Sequence, residues 1–107
     1  MKNIITIIAI TAAVSVASLA AETKTDPNRV KITNFNFTPR ALTIHTGTKV
    51  TWVNEDDVPH TVTSPEKKFK SRALDTDEAF TYTFSTPGTY TYFCSVHPHM
   101  TGKIIVQ

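Results

Sequence analysis

The sequence predicts an all-β fold, a sandwich of two sheets, and three observations carry this prediction. Apolar residues alternate with polar ones along most of the chain. Turn-forming residues recur about every 8 to 12 positions, as they do in sandwiches. Most intervals between turns are too short for a helix of normal length. A single sheet would leave one apolar face in water, so two packed sheets are favoured.

Apolar residues two positions apart place the individual strands. The runs are Val30 and Ile32, Phe35 and Phe37, Leu42 and Ile44, Val50 and Trp52, then Phe80, Tyr82 and Phe84. They indicate strands at 29–37, 41–45, 49–54, 60–64, 79–85, 89–94 and 102–106. We expect the aromatic rings in these runs to pack in the core or on a sheet face. Residues 65–78 show no clear alternation, and they either hold a short helix or run over the surface.

The first 20 residues have the pattern of a cleavable signal peptide. Lys2 precedes an apolar stretch at 4–16, and small residues at 18 and 20 precede a cut after Ala20. The cut leaves 87 residues, with a flexible polar lead at 21–28 and one domain at 29–107. An uncleaved membrane anchor is the alternative, but threonines and serines dilute the apolar stretch. We therefore expect a periplasmic protein without stable membrane insertion.

Charge and cysteine content narrow the class of protein. The exported part has ten lysines and arginines against nine acidic residues, so the sequence does not support nucleic-acid binding. We also expect a monomer. Cys94 is the only cysteine, which excludes an internal disulfide and a lipid anchor at the signal cut. A domain of this size often needs another stabiliser, and a bound metal is the obvious one.

Residues 94–100, CSVHPHM, contain a thiol, two imidazoles and a thioether, all of them metal-ligand types. They lie between two predicted strands, and Pro98 disfavours regular structure there. We therefore expect a loop. Cys94, His97 and Met100 are three residues apart each time, so a curled loop can point all three side chains at one ion.

His60 is the candidate for a fourth ligand, because it follows the turn at 54–59 and begins a predicted strand. A metal ion bound by His60 as well as by the loop would tie the loop to the sandwich, so metal binding would add to the stability of the fold. Two imidazoles, a thiolate and a weak axial thioether are the ligands of a type 1 blue-copper centre. This set leaves no open position for a substrate, so it favours an electron carrier over an enzyme, and no catalytic residue is predicted.

Other interpretations of these residues are weaker. Cys94 alone could be a buried structural thiol or the nucleophile of a Cys-His dyad, but nothing supplies a third orienting group. His45 is expected to be a solvated strand residue. The acidic run at 55–57 and the basic residues at 67–72 are interpreted as solvated loops rather than docking patches, although either could steer a charged partner.

The run VTWVN at 50–54, the triplet Pro59-His60-Thr61, and CSVHPHM followed by Gly102 resemble the small cupredoxins, amicyanin and plastocyanin most closely. The resemblance covers nearly all of 29–107. It implies a Greek-key β-sandwich with one copper ion held by His60, Cys94, His97 and Met100. It also implies that Asn54 braces the Cys94 loop by a hydrogen bond. His97 would be the ligand exposed at the surface, where relatives pass electrons.

One departure from the amicyanin pattern leaves the second histidine ligand ambiguous. His99 stands where that pattern has an aromatic residue. Spacing favours His97 as the ligand and places His99 on the rim beside it. We expect Val58, Pro59, Val96 and Pro98 to surround the edge of His97 as a contact surface.

The sequence therefore predicts a periplasmic one-electron carrier that docks transiently with a redox donor and a redox acceptor. The alternative is a periplasmic protein that stores, delivers or buffers copper. A fragment of a multicopper oxidase is disfavoured, because such enzymes need further histidine clusters. The chain has four histidines in all, His45, His60, His97 and His99.

Overall fold

A computed structural model describes residues 27–107 of the protein. The predicted signal peptide and residues 21–26 of the predicted lead lie outside the described residues. The described part is built from strands without an α-helix. The strands are β1 (Arg29–Thr33), β2 (Asn36–Thr38), β3 (Ala41–Ile44), β4 (Thr48–Asn54), β5 (Ala79–Phe84), β6 (Gly88–Phe93) and β7 (Thr101–Val106).

The strands form two sheets, which confirms the predicted all-β sandwich. One sheet has the order β2-β1-β4-β5, and the other has the order β3-β7-β6. The pairs β1 with β4 and β3 with β7 are parallel, and the other neighbours are antiparallel. Residues 27–107 contain no helix that is long and apolar enough to cross a bilayer.

The core lies between the two sheets and is centred on Trp52. The indole is fully buried and packs against the rings of Phe69, Phe80, Phe84 and Tyr92, with centroids 5.4 to 6.3 Å apart. Burial raises the pKa of Tyr92 to about 12, so the phenol is neutral. The alternating aromatic residues of the sequence thus lie in the core or against it, with the exception of Phe35.

The single strand predicted at 29–37 is wrong, because the chain reverses within it. Thr33 pairs with Asn36, and the two residues between them, Asn34 and Phe35, have φ angles of 53° and 58°. Left-handed backbone at both central residues is the geometry of a tight hairpin, whose twist matches that of the flanking strands. The reversal turns Phe35 away from the core and leaves it 49% exposed.

The strand predicted at 60–64 is also absent as a regular element. Residues 60–74 form an irregular ribbon, the 60–74 ribbon, in which only isolated bridges occur. The N–H of Val62 donates to the hydroxyl of Ser71 instead of to a backbone carbonyl, and this side-chain bond interrupts the ladder. Residues 65–78 hold no helix, and Phe69 and Leu74 are buried in the core. The segment therefore runs over the surface with anchors pointing inward.

Candidate metal centre

His60 is fixed by the chain on both sides of it. The side-chain amide of Asn54, at the end of β4, donates to the carbonyls of Val58 at 2.9 Å and Leu74 at 2.8 Å. These bonds close the turn that leads to His60. The backbone of His60 then exchanges two hydrogen bonds with Leu74, of 3.1 and 2.7 Å. The residue is fully buried, so the surrounding groups restrict its ring.

A carboxylate sets the tautomer of His60. The Nε2 atom lies 2.9 Å from the Asp56 carboxylate, which can only accept a hydrogen bond when ionised. The proton therefore resides on Nε2, and the lone pair of Nδ1 faces Cys94. This arrangement of carboxylate, imidazole and ligand position is common at metal sites and raises the basicity of the ligand nitrogen.

The Asp56 carboxylate accepts hydrogen bonds from other groups besides the ring of His60. Its two carboxylate oxygens also accept from the backbone N–H groups of Asn34, at 2.7 Å, and Phe35, at 2.9 Å. Burial acts to raise the pKa of the Asp56 carboxyl, but the hydrogen bonds from Phe35, Asn34 and His60 outweigh it and lower that pKa. One ionised side chain thus ties the β1–β2 turn to the buried histidine.

The loop that carries the other candidate ligands is closed by its own backbone. The N–H of Cys94 donates to the carbonyl of Met100 at 3.1 Å, that of His97 to Cys94 at 3.2 Å, and that of Met100 to His97 at 2.9 Å. Two of these bonds link residues three positions apart, and the bond from Cys94 to Met100 joins the two ends of the loop, six positions apart. The curled loop predicted from that spacing is present, between β6 and β7.

The Cys94 thiol is fully buried between two imidazole nitrogens. Its Sγ lies 3.7 Å from Nδ1 of His60 and 3.8 Å from Nδ1 of His97, and these ligand atoms all lie within 4.8 Å of one another. Metal–nitrogen and metal–sulfur bonds of about 2.0 to 2.3 Å separate neighbouring ligands by roughly 3.5 to 4 Å. The cluster therefore fits a single ion.

The sulfur also receives a hydrogen bond from the protein. The backbone N–H of Thr61 donates to Sγ of Cys94 at 3.3 Å. Hydrogen bonds to a ligating sulfur tune the redox potential of copper sites, so this donor would act on a copper ion held by Cys94. Thr61, the residue after the buried His60, therefore contacts the sulfur of Cys94 directly.

Met100 is buried as well, with 6% of its surface exposed. It lines the same surface depression as His97 and His99. Its backbone is bonded to both Cys94 and His97, so the loop holds it beside them. A thioether is the weak, soft ligand that copper sites use in the axial position.

The hydrogen bond predicted from Asn54 to the Cys94 loop goes elsewhere. The Asn54 amide donates within the turn before His60 and to Leu74, and its oxygen accepts from the N–H of Asp56 at 2.9 Å. Thr61 braces the loop instead. Its hydroxyl accepts from the N–H of Ser95 at 2.8 Å and lies 2.9 Å from the Ser95 hydroxyl. Asn54 is occupied by the turn because that turn follows it directly in the chain.

The histidines separate into distinct environments. His97 is partly exposed and belongs to the cluster with Cys94, whereas His99 is exposed and lies outside that cluster. The structure therefore brings His97 to the thiol. His45 is exposed just beyond β3, away from these residues.

Phe35 is the residue near the site that sequence reasoning misplaced. Its ring makes edge contacts with His60, centroids 5.3 Å apart, and with His97, centroids 5.0 Å apart. Together with Val96, which is 51% exposed, and the exposed Pro98, it forms an apolar collar around His97. Of the four predicted contact residues, Val96 and Pro98 line this depression, whereas Val58 and Pro59 do not, and Phe35 has to be added.

A comparison with protein families identifies the fold. Residues 4–106 match the model of a cupredoxin-like domain. The chain belongs to this cupredoxin-like family. A copper ion suits the donor set of this cupredoxin, since soft sulfur donors select copper and imidazoles serve both of its oxidation states.

Curated relatives of this cupredoxin include amicyanins and plastocyanins. Amicyanin-alpha from Methylorubrum extorquens is 35% identical over 104 residues, covering 91% of this chain and 87% of the relative. Plastocyanin from Scenedesmus fuscus is 37% identical over 84 residues, covering 66% of this chain and 86% of the relative. The resemblance found in the sequence motifs is confirmed.

Solved structures extend the comparison. A purple cupredoxin from Nitrosopumilus maritimus superposes with a TM-score of 0.70 and 32% identity, covering 74% of this chain and 98% of that one. A copper-containing nitrite reductase from Thermus scotoductus gives a TM-score of 0.71 and 32% identity, covering 86% of this chain but 25% of the enzyme. The same fold therefore occurs both alone and as part of a larger enzyme.

Proposed function

We propose that this cupredoxin carries single electrons through one type 1 copper ion. His60 and His97 would bind the ion through Nδ1, Cys94 through its thiolate, and Met100 as the weak axial ligand. The observation that carries the proposal is the buried thiol of Cys94, flanked by the two Nδ1 atoms and hydrogen-bonded by the N–H of Thr61. When bound, copper supplies a Cu(II)/Cu(I) couple that exchanges one electron.

Hydrogen bonds within the protein hold the ligand residues in position, which suits a carrier. Asp56 fixes the ring of His60, and the backbone of the 94–100 loop fixes Cys94, His97 and Met100. Because these groups are already in place, little rearrangement has to accompany a change in oxidation state. Burial of the thiol keeps water and other ligands from the sulfur.

The electron route we propose passes through the ring of His97. This ring is partly exposed, and the apolar collar of Phe35, Val96 and Pro98 surrounds it. An apolar collar allows a partner protein to exclude water around the histidine edge without a strong binding energy. Transient docking of a donor and an acceptor in turn follows from such a small surface.

We place the protein in the periplasm, as a monomer, after removal of residues 1–20. The signal-peptide pattern of the sequence supports this location. We further propose that the protein is not an enzyme, because the four ligands would leave no coordination position for a substrate.

Voltammetry of the copper-loaded protein tests this function. A carrier gives a reversible one-electron wave that Cys94→Ser abolishes and that the control His45→Ala leaves unchanged. The alternative function is copper storage or delivery. An absent or irreversible wave, together with removal of copper by a Cu(I) chelator within seconds, would contradict electron transfer and establish copper handling.

A further inference from the structure

The outer face of the three-stranded sheet carries a concentration of positive charge beside the metal centre. Two grooves, of about 700 and 440 Å³, meet there and share Pro65 and Phe93 as lining residues. Their lining includes four cationic residues and no acidic one. These cations, which we call the basic face, are Arg40, Lys67, Lys70 and Lys103.

Strand register explains why these residues share a face. Phe93 of β6 pairs with Thr101 of β7 on one side and with Thr63 on the other, and Thr63 also bridges to Lys70. Paired residues on neighbouring strands point to the same side of a sheet. At about 4.8 Å per strand, the row from Thr101 to Lys70 spans roughly 14 Å.

Cations stand at both ends of this row, with an aromatic ring between them. The guanidinium of Arg40 lies 3.4 Å from the hydroxyl of Thr101 at one end, and Lys70 is exposed at the other. Lys103, also exposed, is two residues beyond Thr101 on the same side of β7. Among residues 27–107, the three ion pairs involve His60, Lys68 and Arg72, so the four cations have no carboxylate partner there.

Negative charge is collected elsewhere on the molecule. Six of the seven acidic residues in 27–107 belong to 55–57 and 75–78. The Thr76 hydroxyl joins these two segments by donating to the carbonyl of Asp56 at 2.6 Å, and the N–H of Asp77 donates to the carbonyl of Asn54, the residue before Glu55, at 2.7 Å. We call this region the acidic edge. The seventh, Glu66, precedes Lys67 and pairs with Lys68. Most of the negative charge in 27–107 therefore lies away from the basic face, although the net charge of the chain is only +2.

We infer that the basic face is the docking surface for an acidic region of a redox partner protein. Pro98 lines both the larger groove and the depression that holds His97, so the basic face is continuous with the apolar collar. A partner whose carboxylates contact Arg40, Lys103 and Lys70 therefore also reaches the collar. Phe93 and Pro65 offer apolar contact between the cations.

A globular acidic partner fits this arrangement better than an extended polyanion does. A membrane surface or a nucleic acid presents negative charge over a wide area, so the acidic edge of the same small domain would be repelled. A compact acidic patch contacts the basic face alone and avoids that repulsion. Complementary charge of this kind speeds association and orients the partner, while the collar supplies the close contact.

The inference rests on the proposed function for the partner's role, and charge reversal tests the surface itself. The probe is a fluorescent peptide of sequence EEELEEE, with KKKLKKK and QQQLQQQ as comparisons, added to the Cu(II) protein at low ionic strength. We compare Arg40→Glu/Lys103→Glu with Lys31→Glu/Lys49→Glu, which makes the same charge change at exposed positions of β1 and β4. We expect the first pair to weaken EEELEEE binding about tenfold or more and the control less than twofold.

Three outcomes would overturn the docking surface. EEELEEE could fail to bind, the control pair could weaken binding equally, or phosphatidylglycerol vesicles or a DNA oligonucleotide could bind more tightly than the peptide. Absorption spectra of the same samples report the copper site separately. Loss of the blue band with retained peptide binding would refute the proposed function, and a retained band without peptide binding would refute the basic face.

Discussion

The two histidines of the metal centre lie in opposite surroundings. His60 is fully buried, its backbone is paired with Leu74, and its ring is hydrogen-bonded to Asp56. His97 is partly exposed in a loop, and its ring contacts Cys94 and Phe35. The first histidine is held by the sandwich, whereas the second is held by a short loop and one exposed ring.

This difference separates two requirements of an electron carrier. A buried histidine with a fixed tautomer keeps the thiol site dry and its geometry constant. A partly exposed histidine brings one edge of the same site to the surface, where a partner can reach it. The contrast predicts that substitutions near His60 reduce the stability of the fold, whereas substitutions near His97 change how easily solvent and partner proteins reach the metal centre.

Replacing each histidine by glycine should give the largest difference. His60→Gly opens a buried cavity and removes one of the three hydrogen-bond partners of the Asp56 carboxylate, so we expect the metal-free protein to lose about 2 to 4 kcal/mol. His97→Gly should cost less than about 1 kcal/mol, because the ring is partly exposed. Urea unfolding of both variants measures this difference.

Added imidazole sharpens the same comparison. It should restore the blue absorption of copper-loaded His97→Gly, since it can enter from solvent, and leave His60→Gly unrestored. Equal rescue of both variants, or equal losses of stability, would contradict the distinction between a buried ligand and an accessible one.

Asp56→Asn should have the next largest effect. An amide offers one accepting oxygen and a donating NH₂ where the N–H groups of Asn34, Phe35 and His60 all need acceptors. We expect the metal-free protein to lose about 1 to 3 kcal/mol near neutral pH, measured by urea unfolding. Asp57→Asn, at the adjacent exposed position, is the control and should change stability by less than about 0.5 kcal/mol.

The pH dependence of that loss has a definite sign. The folded protein lowers the pKa of Asp56, so its carboxylate stabilises the fold above the unfolded pKa of about 3.9. This contribution disappears as the pH falls through the lowered pKa. Asp56→Asn and the unchanged protein should therefore converge in stability as the pH falls from about 5 toward the folded pKa. A constant difference over this range would show that the charge of Asp56 does not contribute.

Thr61 links the chain next to His60 to the loop that carries His97. We expect its substitution to reduce stability less than Asp56→Asn does. Thr61→Val leaves the N–H of Ser95 without its acceptor, at a cost of about 1 to 2 kcal/mol. Hydrogen exchange at the Ser95 amide should speed up more than the loss of global stability explains. Thr63→Val removes a hydroxyl that contacts Thr61 but no bond to the loop, so it serves as the control. Faster Ser95 exchange in the control alone would contradict this role.

Phe35→Leu should have the smallest effect on the stability of the fold, but a measurable effect on the access of water to His97. The side chain is half exposed, so we expect a stability change below about 0.5 kcal/mol. A smaller collar admits water to His97, and water favours Cu(II), so the reduction potential should fall by about tens of mV. Val96→Ala, which keeps the ring contacts, should shift the potential less. An equal shift in both variants would mean that the Phe35 ring has no special role.

Much of the site could be predicted from the sequence because its geometry is local. Cys94, His97 and Met100 follow one another at intervals of three, and that spacing specifies the curl of the loop. His60 could be assigned because a turn delivers it to the start of an extended segment. The two sheets and most of the core followed from alternation alone, since period two gives each strand an inner and an outer face.

The errors arose where distant groups decide the backbone. Phe35 fits the alternation of 29–37, but a two-residue turn at Asn34 and Phe35 removes it from that pattern. The pair Asn-Phe lacks the glycine that usually marks such a turn. Asp56 accepts both turn N–H groups from 22 and 21 residues away. In the sequence, Asp56 was one of three adjacent acids, and only the fold distinguishes it.

The central claim is that Cys94, His60 and His97 together bind one copper ion through the buried thiolate. One equivalent of Cu(II) added to the protein, followed by visible absorption and electron paramagnetic resonance, tests it directly. We predict an intense blue thiolate-to-copper band with narrow hyperfine splitting, reversible with a reductant and absent in Cys94→Ser. A pale adduct with wide hyperfine splitting, unchanged in Cys94→Ser, would contradict the claim, because the thiolate would then not be a ligand.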